Sequence, residues 1–484
     1  MLATPASELA GSWQAFALAF ALLGEALAIV FVYRALVRGG SPTSTVLWVL
    51  VILLAPWFGL LLYYLLPRRL HLRRLKRLRV RQAKWSEVRG AERHAASTAA
   101  RPGGVGIAAL LEANGHGGFV PGNQLTWLPS GAEFERAAAA AIASARTHVH
   151  CVVYILRADA AGQRFLAMLT AAAARGVQVR LLYDSFGSFG LAASHLQPLR
   201  AAGGQAVPFL PLLWKRRPFT VNLRNHRKVL LCDDEVGFIG GRNVGDEYFT
   251  DRTGNQRPWL DAMLSVRGPA VEGLQDVFVQ DWYTATDEVL ADSFHPPAPC
   301  GTSQVGIVHS GPDRARPDLW FALIQAIGEA ERSIDISSPY LVPPPTLLFA
   351  LQLAAARGVA VRIWTNGPKA EAAILYHAQR SWYRAFLRAD IAIHETVRAY
   401  DHAKFLLVDD RIVCVGSANM DLRSAHWNFE IAAVVVGDRE LAAAVRATID
   451  ARAPGFRRIG AGDLPRRPWS RALDAMCGLL SPVL

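Results

Sequence analysis

Two sets of residues in this 484-residue chain repeat both type and spacing. The first is His226, Lys228, Asp233, Gly240-Gly241 and Asn243. The second is His402, Lys404, Asp409, Gly416-Ser417 and Asn419. Both fit His-x-Lys-x4-Asp-x6-Gly-[Gly/Ser]-x-Asn. A His and a Lys two apart on a strand point to the same face. The Gly-[Gly/Ser] turn would let backbone approach a ligand closely. One His-x-Lys would be a surface pair as readily as a site. Two complete copies are a site by repetition. Their chemistry suits exchange at a phosphoryl ester. One His can attack phosphorus. The other can protonate the leaving oxygen and then deprotonate the incoming hydroxyl. Lys228, Lys404, Asn243 and Asn419 can hold the non-bridging oxygens. Two Lys remove the need for a metal, and no acidic cluster stands in the sequence to hold one. No cofactor is expected.

Elements of an alternating α/β type must position these residues. Helix is expected over 132–146, 163–175, 321–330 and 345–357, and strand over 148–156, 177–183, 333–340 and 359–364. The segments "AAAARGVQVRLLYD" and "LAAARGVAVRIW" nearly superimpose. In each, Gly176 or Gly358 suits a helix C-cap, and the apolar run after it suits a buried strand. The recurrence predicts an internal duplication, two similar α/β halves.

Composition bounds the rest. At roughly 100–200 residues per domain the chain holds about three units. It is 52% hydrophobic and 19% charged, and its formal charge is +12. That hydrophobic content excludes a largely disordered chain. The mean hydropathy of +0.18 points to lipid. Cys151, Cys232, Cys300, Cys414 and Cys477 are scattered singly. They make neither a disulfide framework nor a zinc site.

Two apolar stretches, 13–33 and 46–66, explain the hydropathy. Each has about 20 residues, enough to cross a bilayer as helix. No Lys or Arg precedes the first, which argues against a signal peptide. Pro56 should kink the second. Glu25 would pack, pair with the partner helix or bind something polar. Basic residues from Arg68 to Lys84 follow, against only Arg34 and Arg38 between the stretches. The positive-inside bias therefore places the remainder in the cytoplasm, with the basic run on anionic headgroups. Residues 85–122 read as a mobile connector.

The two motifs resemble those of the phospholipase D superfamily. The finer texture resembles bacterial cardiolipin synthase: "VLWVLVILLAPWFGLLLYYLLP", "VNLRNHRKVLLCDD", "GGRNVGDEYF", "HSGPD", "SSPYLVPP", "GSANMDLRSAHWNFE" and the ending "LLSPVL". The resemblance runs from Gly122 to the C-terminus, plus the hairpin. It implies two phospholipase D-like halves sharing one active site behind an N-terminal two-helix transmembrane hairpin. The expected segments are the hairpin at 1–67, a basic juxtamembrane segment and linker at 68–121, halves at 122–300 and 301–455, and a tail at 456–484. It also implies a multi-pass protein of the bacterial inner membrane. Phosphatidylglycerol would donate its phosphatidyl group to His and release glycerol, and a second phosphatidylglycerol would take it to give cardiolipin. Partners would be phosphatidylglycerol, other anionic phospholipids and the membrane.

By the same resemblance, Asp261 in "WLDAML" and Glu430 in "NFE" orient the two His. A carboxylate on one ring nitrogen fixes the tautomer. Asp233 and Asp409 would support the fold rather than touch phosphate, and analogy favours His226 as nucleophile. Asp401 departs from the pattern and would either raise the pKa of His402 or be solvated. "WTNGPKAEAAILYHAQ" and "LRADIAIHE" fit the pattern loosely, which leaves the acceptor open. Lys215-Arg216-Arg217 would face membrane phosphates or plain solvent. The tail, with Trp469, Leu473 and Met476, would lie at the membrane or pack on the catalytic part. The same active residues would serve a hydrolase with water as acceptor. A phosphodiesterase acting on nucleic acid is a further alternative. The apolar stretches, with the basic residues gathered beside them, argue against a nucleic-acid partner.

Overall fold

The computed structural model describes residues 6–37, 42–65, 106–113, 118–211, 223–249, 259–290, 297–314, 316–368, 373–464 and 467–479. The basic run from Arg68 to Lys84, Lys215-Arg216-Arg217 and the ending after Leu479 lie outside them. The chain divides into two compact units, Met1–Arg77 and Leu78–Leu484.

The first unit holds a 32-residue helix, Ala6–Val37. Its Phe16–Arg34 stretch is long and apolar enough to cross a membrane, with a mean hydropathy of 2.2. The second apolar stretch is broken. Helices Pro42–Leu54 and Pro56–Leu65 meet at Ala55, because Pro56 has no N–H to continue the first. Phe20 stacks on Trp57 with centroids 4.2 Å apart. A Cβ on Gly24 would come within 2.7 Å of the Trp57 indole nitrogen, so Gly allows that approach. Glu25 is exposed, so the expected packing role is not seen.

The second unit is built on one mixed sheet, sixteen-stranded among the described residues. Its order shows the duplication. In the first half, His148–Val153, Gln178–Asp184 and Gln205–Phe209 run parallel. Val229–Cys232, Val236–Gly240 and Met263–Arg267 continue antiparallel. In the second half, Ser333–Ser337, Ala360–Thr365 and Ala392–Thr396 run parallel. Phe405–Val408, Ile412–Gly416 and Asn428–Val436 continue antiparallel. The halves join at the centre, where Val120–Leu128 pairs with Ser303–Ser310. Each half buries its own apolar core, one around Phe165, Leu169 and Leu181, the other around Leu351, Ile363 and Leu406.

Local chemistry explains the elements. Ser130 and Glu133 form a capping box on helix Gly131–Ser144, and Asp159 caps helix Ala160–Ala174. Gly176 (φ +90°) and Gly358 (φ +89°) end the paired helices. Val177 and Val359 then return their N–H groups to Ala172 and Ala354. The connector expectation fails at residues 107–113. Helix Ile107–Ala113 buries Ile107 and Leu111 in the second core, and Glu329 accepts the Ile107 N–H at 2.7 Å. Its apolar spacing is too short to stand out from the Ala- and Gly-rich sequence around it.

Helix Pro468–Leu479 packs on helix Ala373–Leu387, with His377 Nδ1 2.7 Å from Asp474. Asp474 and Cys477 are buried, while Trp469, Leu473, Met476 and Leu479 are exposed.

Candidate active site

The two motifs meet where the halves cross. Arg224–Asn225 pairs with the start of the second half's strand Asn428–Val436, and Tyr400–Asp401 pairs with Trp259–Leu260 of the first. His226 therefore donates its backbone N–H to Phe429 O, and His402 donates its own to Leu260 O. Each His sits on backbone from the opposite half.

Each His also takes its carboxylate from the opposite half. His226 Nδ1 lies 3.0 and 3.1 Å from the Glu430 oxygens. His402 Nδ1 lies 2.6 Å from Asp261 Oδ2. An ionised carboxylate only accepts, so each Nδ1 carries the proton and each Nε2 is left unprotonated; His402 Nε2 lies 3.1 Å from Lys404 Nζ, which can donate to it. Glu430 also accepts from the Ser417 hydroxyl and, at 3.2 Å, from Asn428 Nδ2. Burial alone pushes the Glu430 carboxyl up. The facing His226, then Lys228 and Ser417, overcome this and hold it down at about 2. Asp261, also fully buried, is lowered because His402, Lys404 and Arg242 outweigh its desolvation.

Both imidazoles are neutral at pH 7. Burial lowers His226 to about 4, with Glu430 opposing and Lys228 assisting. Burial lowers His402 to about 3, with Lys404 assisting and Asp261 opposing. Lys228 donates to His226 O at 2.5 Å, and Lys404 donates to His402 O at 2.6 Å. Burial brings Lys404 down to about 8. Burial, followed by repulsion from Lys404, brings Lys228 well below its ordinary value. Two buried lysines thus face one site, and an anion between them would favour the charged form of each.

Arg227, in the short irregular stretch between strands Arg224–Asn225 and Val229–Cys232, pairs with buried Asp281. Asn225 and Asp401, the residues before each His, do the same local work. Each side chain accepts the N–H two residues on, from Arg227 and Ala403, at 3.1 Å. Asp401 is buried and also accepts from Ser337 at 2.7 Å, so it is not solvated. Its carboxyl is raised by burial.

Asp233 and Asp409 stand apart from the imidazoles. Asp233 accepts backbone N–H groups from Arg146, Thr147 and His148. Asp409 accepts those of Glu331, Arg332 and Ser333. Asp233-Asp234 and Asp409-Asp410 all have positive φ, from 51° to 57°. Two successive left-handed residues are what a tight hairpin turn requires. These Asp residues tie each hairpin to the strand beside it.

The Gly-[Gly/Ser] turn serves the fold rather than a ligand. A Cβ on Gly241 would meet Asp261 Oδ1 at 2.4 Å and His402 O at 3.1 Å, and one on Gly416 would meet Ile431 O at 2.1 Å. Asn243 and Asn419 are both buried. Asn243 Oδ1 accepts from Ile155 N and its Nδ2 donates to Tyr248 Oη. Asn419 Oδ1 has no hydrogen-bond partner among the described residues.

Sequence patterns did not mark the aromatic rings about the imidazoles. Tyr154 meets the His226 ring edge-on at 5.0 Å, with Lys228 Nζ 5.3 Å from its centre. Tyr248, Trp259 and Tyr400 lie 5.3, 5.7 and 6.2 Å from His402. Their one signal was placement: Trp259 is two residues before Asp261, and Tyr400 is two before His402. Among the described residues, no group of three or more His, Cys, Asp or Glu is arranged to hold a metal.

The chain is similar to known proteins. The family profile "Cardiolipin synthase, PLD-like domain" matches residues 139–282 and 323–452, and "Phospholipase_D-nuclease N-terminal" matches 26–66. The chain is 37% identical to a cardiolipin synthase of Halalkalibacterium halodurans over 364 residues, covering 71% of this chain and 69% of that one. It is 36% identical to a cardiolipin synthase of Geobacillus kaustophilus over 379 residues, covering 75% and 72%. The phosphatidylserine synthase structure from Haemophilus influenzae shares the fold, with a TM-score of 0.57 at 14% identity over 75% of this chain and 95% of that one.

Proposed function

The chain belongs to the cardiolipin synthase family of phospholipase D-like enzymes, and from that premise we propose that it makes cardiolipin and glycerol from two phosphatidylglycerol molecules. The observation that carries the reading is the pairing of two carboxylate-oriented imidazoles with two buried lysines. One imidazole Nε2 attacks phosphorus. The other His takes up a proton on Nε2 when the phosphodiester anion binds beside it, and as the bond to the headgroup glycerol oxygen breaks this imidazolium gives that oxygen the proton. The phosphatidyl group is then held on His. A hydroxyl of the second phosphatidylglycerol gives its proton to the same acid–base His and attacks phosphorus, and the P–N bond breaks. Lys228 and Lys404 neutralise the non-bridging oxygens, assisted by the remaining amide N–H of Asn243 and of Asn419. Glu430 and Asp261 stabilise each imidazolium as it forms.

The long apolar helix and the N-terminal family match support a membrane protein. In our reading residues 1–67 form a two-helix hairpin that crosses the bacterial inner membrane twice. The basic residues after it keep the catalytic part in the cytoplasm. Segment 68–121 is the basic stretch and linker, shortened by the helix that starts at Ile107. The halves are 122–300 and 301–455. In the tail 456–484, the exposed stripe of Trp469, Leu473, Met476 and Leu479 lies in the membrane interface.

Incubation of the purified full-length protein with phosphatidylglycerol vesicles, followed by mass spectrometry of the lipids, tests the reaction. Cardiolipin with released glycerol, absent in His226→Ala and His402→Ala, is expected. Phosphatidic acid alone would show water as the acceptor. No lipid product, together with cleavage of nucleic acid, would overturn the lipid reading.

A further inference from the structure

The two catalytic histidines are related by duplication, yet their surroundings are chemically unequal. The pairing of the short strands defines the equivalent positions. Tyr400 pairs with Trp259 beside His402, and Arg224 pairs with Asn428 beside His226. Tyr400 and Arg224 each stand two residues before the His. Trp259 and Asn428 each stand two residues before the acid, and so share its strand face. At His402 both positions are filled by rings, with Tyr248 as a third. At His226 the place of the indole is taken by the short Asn428. The place of the Tyr400 ring is taken by Arg224, whose guanidinium is drawn to Asp184 at 3.3 Å and lies over the Phe186 ring. The first half closes its partner's His with aromatic rings. The second half puts an amide beside His226, whose one ring neighbour among the described residues, Tyr154 at 5.0 Å, comes from its own half.

That amide is half-used. Asn428 Nδ2 donates to Glu430 Oε1 at 3.2 Å, the oxygen that also faces His226 Nδ1 at 3.0 Å. Among the described residues Asn428 Oδ1 has no hydrogen-bond partner, although the residue is 5% exposed. A buried acceptor left unmade is costly unless a ligand supplies the donor. The ligand class must carry a hydroxyl or amine proton, fit where an indole sits in the other half, and reach a site built for a phosphodiester. The polyol headgroup of a glycerophospholipid meets all three conditions.

We propose that Asn428 Oδ1 accepts a hydrogen bond from a free hydroxyl of the glycerol headgroup. The His226 side of the site is then the polyol side, and the His402 side, walled by Tyr248, Trp259 and Tyr400, takes the less polar part of the lipid. This rests on the phosphatidyl-transfer reading above. It adds how a glycerol-bearing headgroup is told from one without free hydroxyls.

The test compares two donors given to purified full-length enzyme in mixed micelles: phosphatidylglycerol and phosphatidyl-1-propanol. Both carry the same phosphodiester charge and a three-carbon headgroup, but the second has no free hydroxyl. Release of the headgroup alcohol is measured, so the assay works whether water or a lipid is the acceptor. The wild type is expected to prefer phosphatidylglycerol by about tenfold or more in kcat/KM, the scale of one hydrogen bond to a buried acceptor. Asn428→Leu should bring that preference close to unity, chiefly by raising KM for phosphatidylglycerol. Asn428→Asp keeps an acceptor and should keep most of the preference even though its charge beside Glu430 slows both donors. A wild type that does not discriminate overturns the proposal. So does an Asn428→Leu enzyme slowed equally on both donors, because Asn428 would then act only by holding Glu430. Should the Leu variant fail to fold, loss of preference in Asn428→Asp overturns the proposal in its place. A wild type inert on both donors overturns the phosphatidyl-transfer reading, and this inference with it.

Discussion

His226 Nδ1 lies 3.0 Å from Glu430 Oε1, although 204 residues separate them and they belong to opposite halves. His402 and Asp261 repeat the relationship in the other direction at 2.6 Å. Neither half therefore holds a complete His–carboxylate pair of its own.

Replacing either acid should cost rate rather than binding. Asp261→Asn and Glu430→Gln keep the shape but lose the charge that fixes the tautomer and stabilises the imidazolium. A fall in kcat of about 10²–10⁴ is expected for each, with KM for phosphatidylglycerol little changed. Steady-state kinetics on mixed micelles decides it. A variant that raised KM alone would place the acid in substrate binding.

Activity should fall on the alkaline side near pH 8. Burial brings the Lys404 ammonium down to about 8, so above that pH its charge and its donors to phosphate oxygens are lost. A kcat/KM profile from pH 6 to 10 would show this limb. A flat profile to pH 10 would mean that Lys404 keeps its proton and that substrate or lipid charge sets its environment.

Stability should fall as the pH drops below about 6.5. The folded pKa values of His226 and His402, about 4 and 3, lie below the ordinary 6.5. The unfolded chain therefore binds protons that the folded chain refuses, and stability is lost as pH falls. Glu430, held at about 2 against an ordinary 4.5, extends the loss further into acid. Thermal unfolding between pH 8 and 4 should show a steadily lower midpoint, and His402→Phe should flatten the slope between pH 6.5 and 4. An unchanged slope in that variant counts against a neutral buried imidazole.

Asp409→Ala should weaken the fold without touching the chemistry. It removes the acceptor for three backbone N–H groups at the turn behind the second motif. A loss of about 2 kcal/mol is expected, read as a lower unfolding midpoint, while KM and the ratio of transfer to hydrolysis stay as in the wild type. A change in product ratio would instead bring Asp409 into the site.

Much was legible in the sequence because it is local or repeated. The 3.6 and 2 periodicities, the glycines at 176 and 358 and the doubled His-x-Lys motif give two α/β halves, since each depends on residues within a few positions of one another. The break at Pro56 follows from a missing N–H. Other features required the tertiary structure. Asp261 and Glu430 gained their places from family resemblance, and no local pattern pairs either with a His in the other half. Asp233 and Asp409 share the motif but point to backbone from another strand, which only the sheet order brings near. The helix Ile107–Ala113 is too short to declare itself until the second core covers it. The unequal walls of the two histidines arise from strand pairing across the halves. Trp259 and Asn428 occupy equivalent positions only after the chain folds, and it is their difference in size and polarity that makes a duplicated site asymmetric.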